Sequence, residues 1–161
     1  MEGARMNNND RLKRLRYALD IKDTDIVKIF KFGGVDITKE EFREMLIKKN
    51  DEEYEVELTN EQFERFLNGL IISQRGAREG DEPVFELHNG NANNLLLKKV
   101  KIALSLTSDD IIEYLDLAGV RVSKGEISAI LRKEGHRNYK PCGDRYARNF
   151  LKGLMIEHRG E

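Results

Sequence analysis

The sequence contains two copies of one unit, and this duplication limits the available folds more than any other feature. An offset of 85 residues aligns the first part of the two copies, and an offset of 84 aligns the rest. The clearest matches are NN at 8–9 and 93–94, GV at 34–35 and 119–120, and FLNGLIISQRG at 66–76 with FLKGLMIEHRG at 150–160. Helical solenoid repeats have shorter periods, so this spacing predicts two halves related by a pseudo-two-fold axis.

Composition and local patterns predict four α-helices in each copy. The chain has only 2 prolines in 161 residues, and it is rich in Leu, Ile, Lys and Glu, which lose little side-chain freedom in a helix. A capping box opens the third helix of each copy, as Thr38-x-x-Glu41 and as Ser123-x-x-Glu126. The Asn-Asn pair of each copy predicts the N-cap of its first helix. The predicted fold is all-α, a tandem duplication of a four-helix unit with about eight helices.

The region between the copies has the composition of a linker. It reads AREGDEPVFELHNG, with the Gly, Pro and acid content typical of connecting segments. Val84, Phe85 and Leu87 are apolar enough to dock on the folded surface. The predicted domain organisation is a first helical repeat at 1–76, a linker at 77–90 and a second helical repeat at 91–161.

An internal glycine recurs in the fourth helix of each copy, as Gly69 and Gly153. A glycine inside a helix costs about 1 kcal/mol relative to alanine. Its recurrence at that cost predicts a close approach by another helix. We expect the two fourth helices to pack against each other across the pseudo-two-fold axis.

Charge is distributed unevenly although the formal net charge is only −1. Residues 39–65 contain ten acidic and five basic side chains, whereas residues 121–152 contain nine basic and three acidic ones. A local excess of positive charge attracts anionic partners. The candidate anion-binding or partner-binding residues are Arg121, Lys124, Arg132, Lys133, Arg137, Lys140, Arg145 and Arg148. Tyr139 lies beside them as a candidate stacking residue.

The segment from Asp109 to Lys133 resembles a helix-turn-helix in outline, which favours nucleic-acid binding as an alternative. Its predicted turn, Gly119 to Ser123, is about two residues longer than the turn of DNA-binding versions. The corresponding helix of the first copy carries Glu40, Glu41 and Glu44, which would repel phosphate. An αα-hairpin that closes a helical bundle is the favoured interpretation of both segments.

The sequence offers no pattern typical of a catalytic or metal site. Cys142 is the only cysteine, and neither it nor the 3 histidines has the spacing of metal ligands. A cysteine nucleophile needs a base and an orienting group in space, so a structural role is the favoured interpretation of Cys142. We therefore predict no enzyme activity and no cofactor. A single cysteine and the lack of an apolar run of about 20 residues predict a cytoplasmic protein outside the membrane.

Several of these motifs together resemble the YehS-like family of bacterial proteins. The resemblance rests on NNDRLKRLRYAL, FLNGLIISQRG, the second NN before LLLKKVKIAL, ISAILRK, NY, and CGD before RNFLKGL. It covers the chain from Asn7 to Leu154 and implies a duplicated helical domain of unknown function, without catalytic residues to transfer. The acidic loop NDEEYEVE at 50–57 departs from the family pattern because it lacks a cysteine associated with the first domain.

The predicted function is that of a non-enzymatic binding or adaptor protein. Its charged helical surface would associate with an unidentified protein partner or with a second copy of the chain. Nucleic-acid binding through the second repeat is the alternative. Steep weakening of binding by salt is expected for contacts to phosphate, because such contacts release counterions.

Overall fold

The computed structural model describes residues 5–76 and 85–161, and helices dominate both segments. Within these segments the chain forms eight α-helices and one isolated antiparallel bridge, between Lys48 and Tyr54. The helices are α1 (Asn8–Leu19), α2 (Asp23–Phe32), α3 (Lys39–Glu44), α4 (Asn60–Arg75), α5 (Ala92–Leu104), α6 (Ser108–Leu117), α7 (Lys124–Leu131) and α8 (Asp144–Arg159). The prediction of an all-α tandem duplication with four helices in each copy is confirmed.

Local capping explains where several helices begin. The Thr38 hydroxyl accepts the Glu41 N–H at 3.0 Å, and the Glu41 carboxylate accepts the Thr38 N–H at 3.1 Å, so the predicted capping box is confirmed. In the second repeat only half of the predicted capping box forms: the Ser123 hydroxyl accepts the Glu126 N–H at 3.1 Å, but the Glu126 carboxylate accepts from that hydroxyl and not from the Ser123 N–H. These bonds satisfy backbone groups that a helix start would otherwise leave unpaired.

The prediction that the Asn-Asn pairs are N-caps is wrong, because their side chains hold a distant loop. The cap of α1 is Asn7, and Asn9 is a buried residue of the helix itself. The Asn9 amide donates to the Met45 and Val56 carbonyl oxygens, both at 2.8 Å, and its oxygen accepts the Leu58 N–H at 2.8 Å. One side chain thus satisfies three backbone groups of the segment between α3 and α4.

The second repeat uses Asn94 in the same way. Its amide donates to the Ile130 carbonyl at 3.0 Å and the Lys140 carbonyl at 2.9 Å, and its oxygen accepts the Cys142 N–H at 2.8 Å. Buried loop backbone must find partners, and an asparagine side chain offers both donors and an acceptor. The pair is repeated because each copy needs the same loop anchor.

The fourth helix of each repeat packs on both repeats. Helix α4 packs along α2 of its own repeat and α5 of the other, while α8 packs along α6 and α1. One continuous hydrophobic cluster therefore contains core residues of both copies, including the fully buried Phe30, Phe66 and Phe150. The two repeats bury each other's apolar surface, which stabilises the pair more than either alone.

The predicted packing of the two fourth helices against each other is wrong, although the predicted close approach at their glycines is observed. A Cβ atom on Gly69 would overlap the Ile29 carbonyl oxygen of α2, and one on Gly153 would overlap the Tyr114 carbonyl oxygen of α6. Helices α4 and α8 do not pack along each other in the described chain. Each glycine lets two helices of one repeat approach closely.

Two arginines at equivalent positions join the end of each fourth helix to the first helix of the other repeat. Arg75 at the end of α4 donates to the Ile102 carbonyl of α5 at 3.5 Å. Arg159 at the end of α8 donates to the equivalent carbonyl of Tyr17 in α1 at 3.3 Å and pairs with Asp20 at 3.0 Å. The contacts between the repeats thus come in equivalent pairs, as the predicted pseudo-two-fold relation requires.

None of the helices in the described segments has both the length and the apolar character that crossing a membrane requires.

Candidate functional site

The packing of each fourth helix against the first helix of the other repeat creates two equivalent clefts between the repeats. The α1/α8 cleft joins the first helix of the first repeat to the fourth helix of the second, and the α4/α5 cleft is its counterpart. The α1/α8 cleft encloses about 650 Å³. Its basic lining comes from Lys13, Arg14, Arg16, Lys48, Arg148 and Lys152, and its apolar lining includes Leu46, Leu151 and Met155. A basic rim around an apolar surface suits an amphipathic anionic ligand.

Most of the positive charge in the α1/α8 cleft is uncompensated. Arg16 pairs with Asp23 at 2.8 Å, but the other five cations have no carboxylate within 4.0 Å in the part of the chain that the structure describes. Asp10 is the sole acidic residue of this lining, and its carboxylate already accepts the Tyr54 hydroxyl at 2.6 Å and the Asn7 N–H at 3.1 Å. Like charges lining one concave surface focus a positive potential into it.

Tyr54 supports one wall of this cleft. Only 8% of its surface is exposed, and burial together with the Asp10 carboxylate raises the pKa of its hydroxyl. The Lys48 ammonium lies 5.7 Å from the centre of the tyrosine ring, a cation–π distance. Tyr54 is therefore an anchored side chain that holds Lys48 at the cleft.

The α4/α5 cleft is covered by the last part of the segment between the repeats. Glu64 is a buried residue with 1% of its surface exposed. Its carboxylate accepts the Glu86 N–H at 2.8 Å and the Leu87 N–H at 3.0 Å. The ammonium of Lys99 on α5 lies 3.5 Å from the same carboxylate. The chain thus supplies its own occupant for this cleft.

Two of the three residues predicted to dock lie within the described segments. Leu87 packs against the core, and Phe85 lies beneath the Arg65 guanidinium at 4.7 Å although it is 42% exposed. Val84 and the remainder of the predicted linker from 77 to 83 lie outside the described residues.

A smaller opening of about 430 Å³ remains beside the docked segment. Both charge signs line it, because Glu86 and Glu134 lie opposite Lys98, Arg132 and Lys133. His88 of the segment bonds the Glu134 carboxylate at 2.7 Å. Two carboxylates thus accompany three cations in this opening, whereas Asp10 alone accompanies six cations in the lining of the α1/α8 cleft.

The structure distributes the predicted site residues over three places. Arg148 lines the α1/α8 cleft, whereas Arg132, Lys133 and the half-buried Tyr139 line the smaller opening beside the docked segment. The remaining predicted residues are exposed outside both clefts: Arg121, Lys124, Arg137, Lys140 and Arg145.

Sequence reasoning missed four of the five uncompensated cations in the α1/α8 cleft. Lys13 and Arg14 come from α1, Lys48 follows α3, and Lys152 lies on α8. The basic polar face of α1 was the available signal. This basic face indicates a binding cleft only once the contact between α1 and α8 of the other repeat is known.

The helix-turn-helix-like segment is exposed along one face of α7. Ile127 and Ile130 are buried, while Lys124 and Ser128 are exposed. Six residues, 118–123, separate α6 from α7, whereas DNA-binding versions use a turn of about three or four. The spacing is that of an αα-hairpin in both repeats.

Cys142 is a buried free cysteine. Burial and the Asp144 charge raise the pKa of its thiol to about 12, and the residue is 6% exposed. It occupies the position of Leu58 in the repeat, so it serves as a core side chain at the loop that Asn94 holds. No cluster of three potential metal-binding side chains occurs within residues 5–76 and 85–161.

Comparisons with known proteins agree with the duplication. The family described as "Protein of unknown function (DUF1456)" matches twice, at residues 8–76 and 93–160. The chain is also 40% identical over 149 residues to "Uncharacterized protein YehS" of Escherichia coli (strain K12), which covers 92% of this chain and 94% of that protein. No solved structure matches. The chain therefore belongs to the DUF1456 family, the YehS-like proteins with a duplicated helical domain.

Proposed function

We propose that this protein is a non-enzymatic binding protein that takes up an anionic macromolecule on its charged helical surface. The α1/α8 cleft is the observation that carries this proposal. Five cations that have no carboxylate partner among residues 5–76 and 85–161 surround an apolar surface there. A protein partner is the leading candidate, and association with the acidic region of a second copy is the self-association form of the same idea.

Electrostatics favours a bound anion at this position. A single exposed ion pair contributes only about 0–1 kcal/mol, but several cations on one concave surface add their potentials and attract an anion together. The cleft cations repel one another in the free protein, and an anionic ligand would replace that repulsion by attraction. Contact with Leu46, Leu151 and Met155 would add burial of apolar surface.

Nucleic-acid binding through the second repeat is a second candidate. The exposed face of α7 supports it, because Lys124 is exposed there and Arg121, Arg132 and Lys133 flank the helix. The long turn before α7 argues against insertion into the major groove as in a helix-turn-helix protein. Contacts to the phosphate backbone alone would require no such insertion.

Three matched substitutions separate these candidates. Lys152→Glu changes the cleft, Lys124→Glu changes the α7 face, and Lys39→Glu is a control outside both clefts; all three lysines are exposed. Labelled polyglutamate and a labelled DNA duplex would be titrated with each protein at about 50 mM and about 200 mM salt.

We expect tight polyglutamate binding at low salt that Lys152→Glu weakens and Lys39→Glu does not. Duplex binding that only Lys124→Glu weakens would move the function to the α7 face. Failure of both anions to bind the unaltered protein at low salt would overturn the proposal.

A further inference from the structure

We propose that the α1/α8 cleft binds an extended acidic peptide segment of a partner protein, seated as residues 85–88 of this chain are seated in the α4/α5 cleft. This inference rests on the proposed function and names the chemistry of the partner. The chain provides the template, since one of two equivalent clefts already holds an irregular peptide segment.

The residues that hold the docked segment have their counterparts in the open cleft. Glu64 binds the segment's backbone and Arg65 covers Phe85. The repeat offset of 84 places Arg148 and Asn149 at these two positions, and both line the α1/α8 cleft. The open cleft is therefore the equivalent of a peptide-binding surface.

The opposite wall is repeated as well. Beside the docked segment it is formed by Lys98, Lys133 and Tyr139. At an offset of 85 their counterparts are Lys13, Lys48 and Tyr54, all of which line the α1/α8 cleft. Both walls of the two clefts thus correspond, and of residues 5–76 and 85–161 a peptide segment fills only the α4/α5 cleft.

The charge of the recognising residue is inverted between the clefts. Glu64 accepts backbone N–H groups, whereas Arg148 at the same position offers only donors. Asn68 of the first repeat is likewise replaced by Lys152. The α1/α8 cleft would therefore select carboxylates and carbonyl oxygens, which an acidic peptide segment supplies.

The apolar part of the lining predicts one further property of the segment. Leu46, Leu151 and Met155 correspond to Leu131, Leu67 and Ile71 on the other side, all apolar. On that side Leu87 of the docked segment packs against the core. We expect the bound segment to place one apolar side chain between acidic residues.

A short labelled peptide tests this binding mode. The ligand would be Glu-Glu-Leu-Glu-Glu with blocked ends, and the control peptide would carry Lys in place of each Glu. A single-stranded oligonucleotide of the same net charge would serve as the competing class of ligand. Fluorescence anisotropy would give Kd for the unaltered protein, for Arg148→Glu and for Arg121→Glu, an exposed arginine outside both clefts.

We expect the acidic peptide to bind best, Arg148→Glu to raise Kd by at least about tenfold, and Arg121→Glu to leave it unchanged. Amide shift changes in the unaltered protein should centre on Tyr54 and Leu151, which tests the site without any substitution. Shift changes elsewhere, or equal losses in both variants, would overturn the inference.

The outcomes also separate this inference from the proposed function. Binding of the oligonucleotide but not the peptide would overturn the inference and leave anion binding standing. Absence of binding by every anionic ligand would overturn both.

Discussion

Replacing Glu64 by alanine should destabilise the protein by about 3–5 kcal/mol, because it removes one partner of a buried ion pair. The Glu64 residue is 1% exposed, and the Lys99 side chain that it contacts is 11% exposed. Burial lowers the pKa of Lys99, while the Glu64 carboxylate opposes that shift. Without Glu64 the Lys99 ammonium would remain largely buried with the neutral Asn68 amide oxygen as its partner and no opposite charge, and its pKa would fall further.

Part of the stability lost in Glu64→Ala should come from weaker docking of residues 85–88. Glu64 accepts the N–H groups of Glu86 and Leu87, and hydrogen bonds to a charged acceptor contribute about 1.5–3 kcal/mol each. Release of the segment would let water satisfy these two groups, so their loss would not add fully to the ion-pair term. We expect amide hydrogen exchange at Glu86 and Leu87 to accelerate more than the loss of overall stability alone would cause.

Urea unfolding followed by circular dichroism would measure the stability change. Glu61→Ala is the matched control, since its side chain lies on the same helix, is 67% exposed, and pairs with Arg65 only at 3.6 Å. That control should cost about 0.5 kcal/mol or less. The double variant Glu64→Leu with Lys99→Leu should lose less than the sum of the single changes. Equal effects of Glu64→Ala and Glu61→Ala would refute the reasoning.

Two further substitutions and one labelling experiment test the packing within each repeat. Gly69→Ala should destabilise by about 1–3 kcal/mol, because its Cβ would meet the Ile29 backbone; Gly125→Ala, in the exposed first turn of α7, should not destabilise in the same unfolding assay. Asn94→Ala should lower the free energy of unfolding by about 1–3 kcal/mol or more, because it leaves buried backbone groups of the loop unsatisfied. A loss no larger than that caused by replacing an exposed asparagine with alanine would contradict this role. The Cys142 thiol should react with Ellman's reagent at the rate of unfolding. Rapid labelling of the native protein would contradict the burial of this thiol. The pKa of Cys142 in the folded protein, about 12, exceeds its value in the unfolded chain. The contribution of the buried thiol to stability should therefore be complete below about pH 8.5 and decline as pH rises toward 12.

The electrostatic prediction illustrates the limit of counting charges along a chain. Residues 121–152 have the larger positive excess in the sequence. The uncompensated cations of the α1/α8 cleft nevertheless come largely from α1, the segment after α3, and the end of that basic region. Surface potential depends on which residues meet in space, and windows of sequence do not contain that information.

The sequence by itself determined the duplication, the helical class and most local boundaries. Periodic apolar residues and capping boxes act within a few residues of the chain, so their meaning does not depend on distant partners. Gly69 and Gly153 likewise indicated a close helix approach from their recurrence alone.

Only the tertiary structure decided which helices those glycines meet and that α4 and α8 each pack on both repeats. It also decided that, among the residues that the structure describes, a peptide segment fills the α4/α5 cleft while the α1/α8 cleft is lined mainly by basic side chains. The physical reason is that both copies present nearly the same apolar faces. Several pairings therefore satisfy the same hydrophobic pattern, and long-range packing with polar anchors such as Glu64 and Asn94 selects among them.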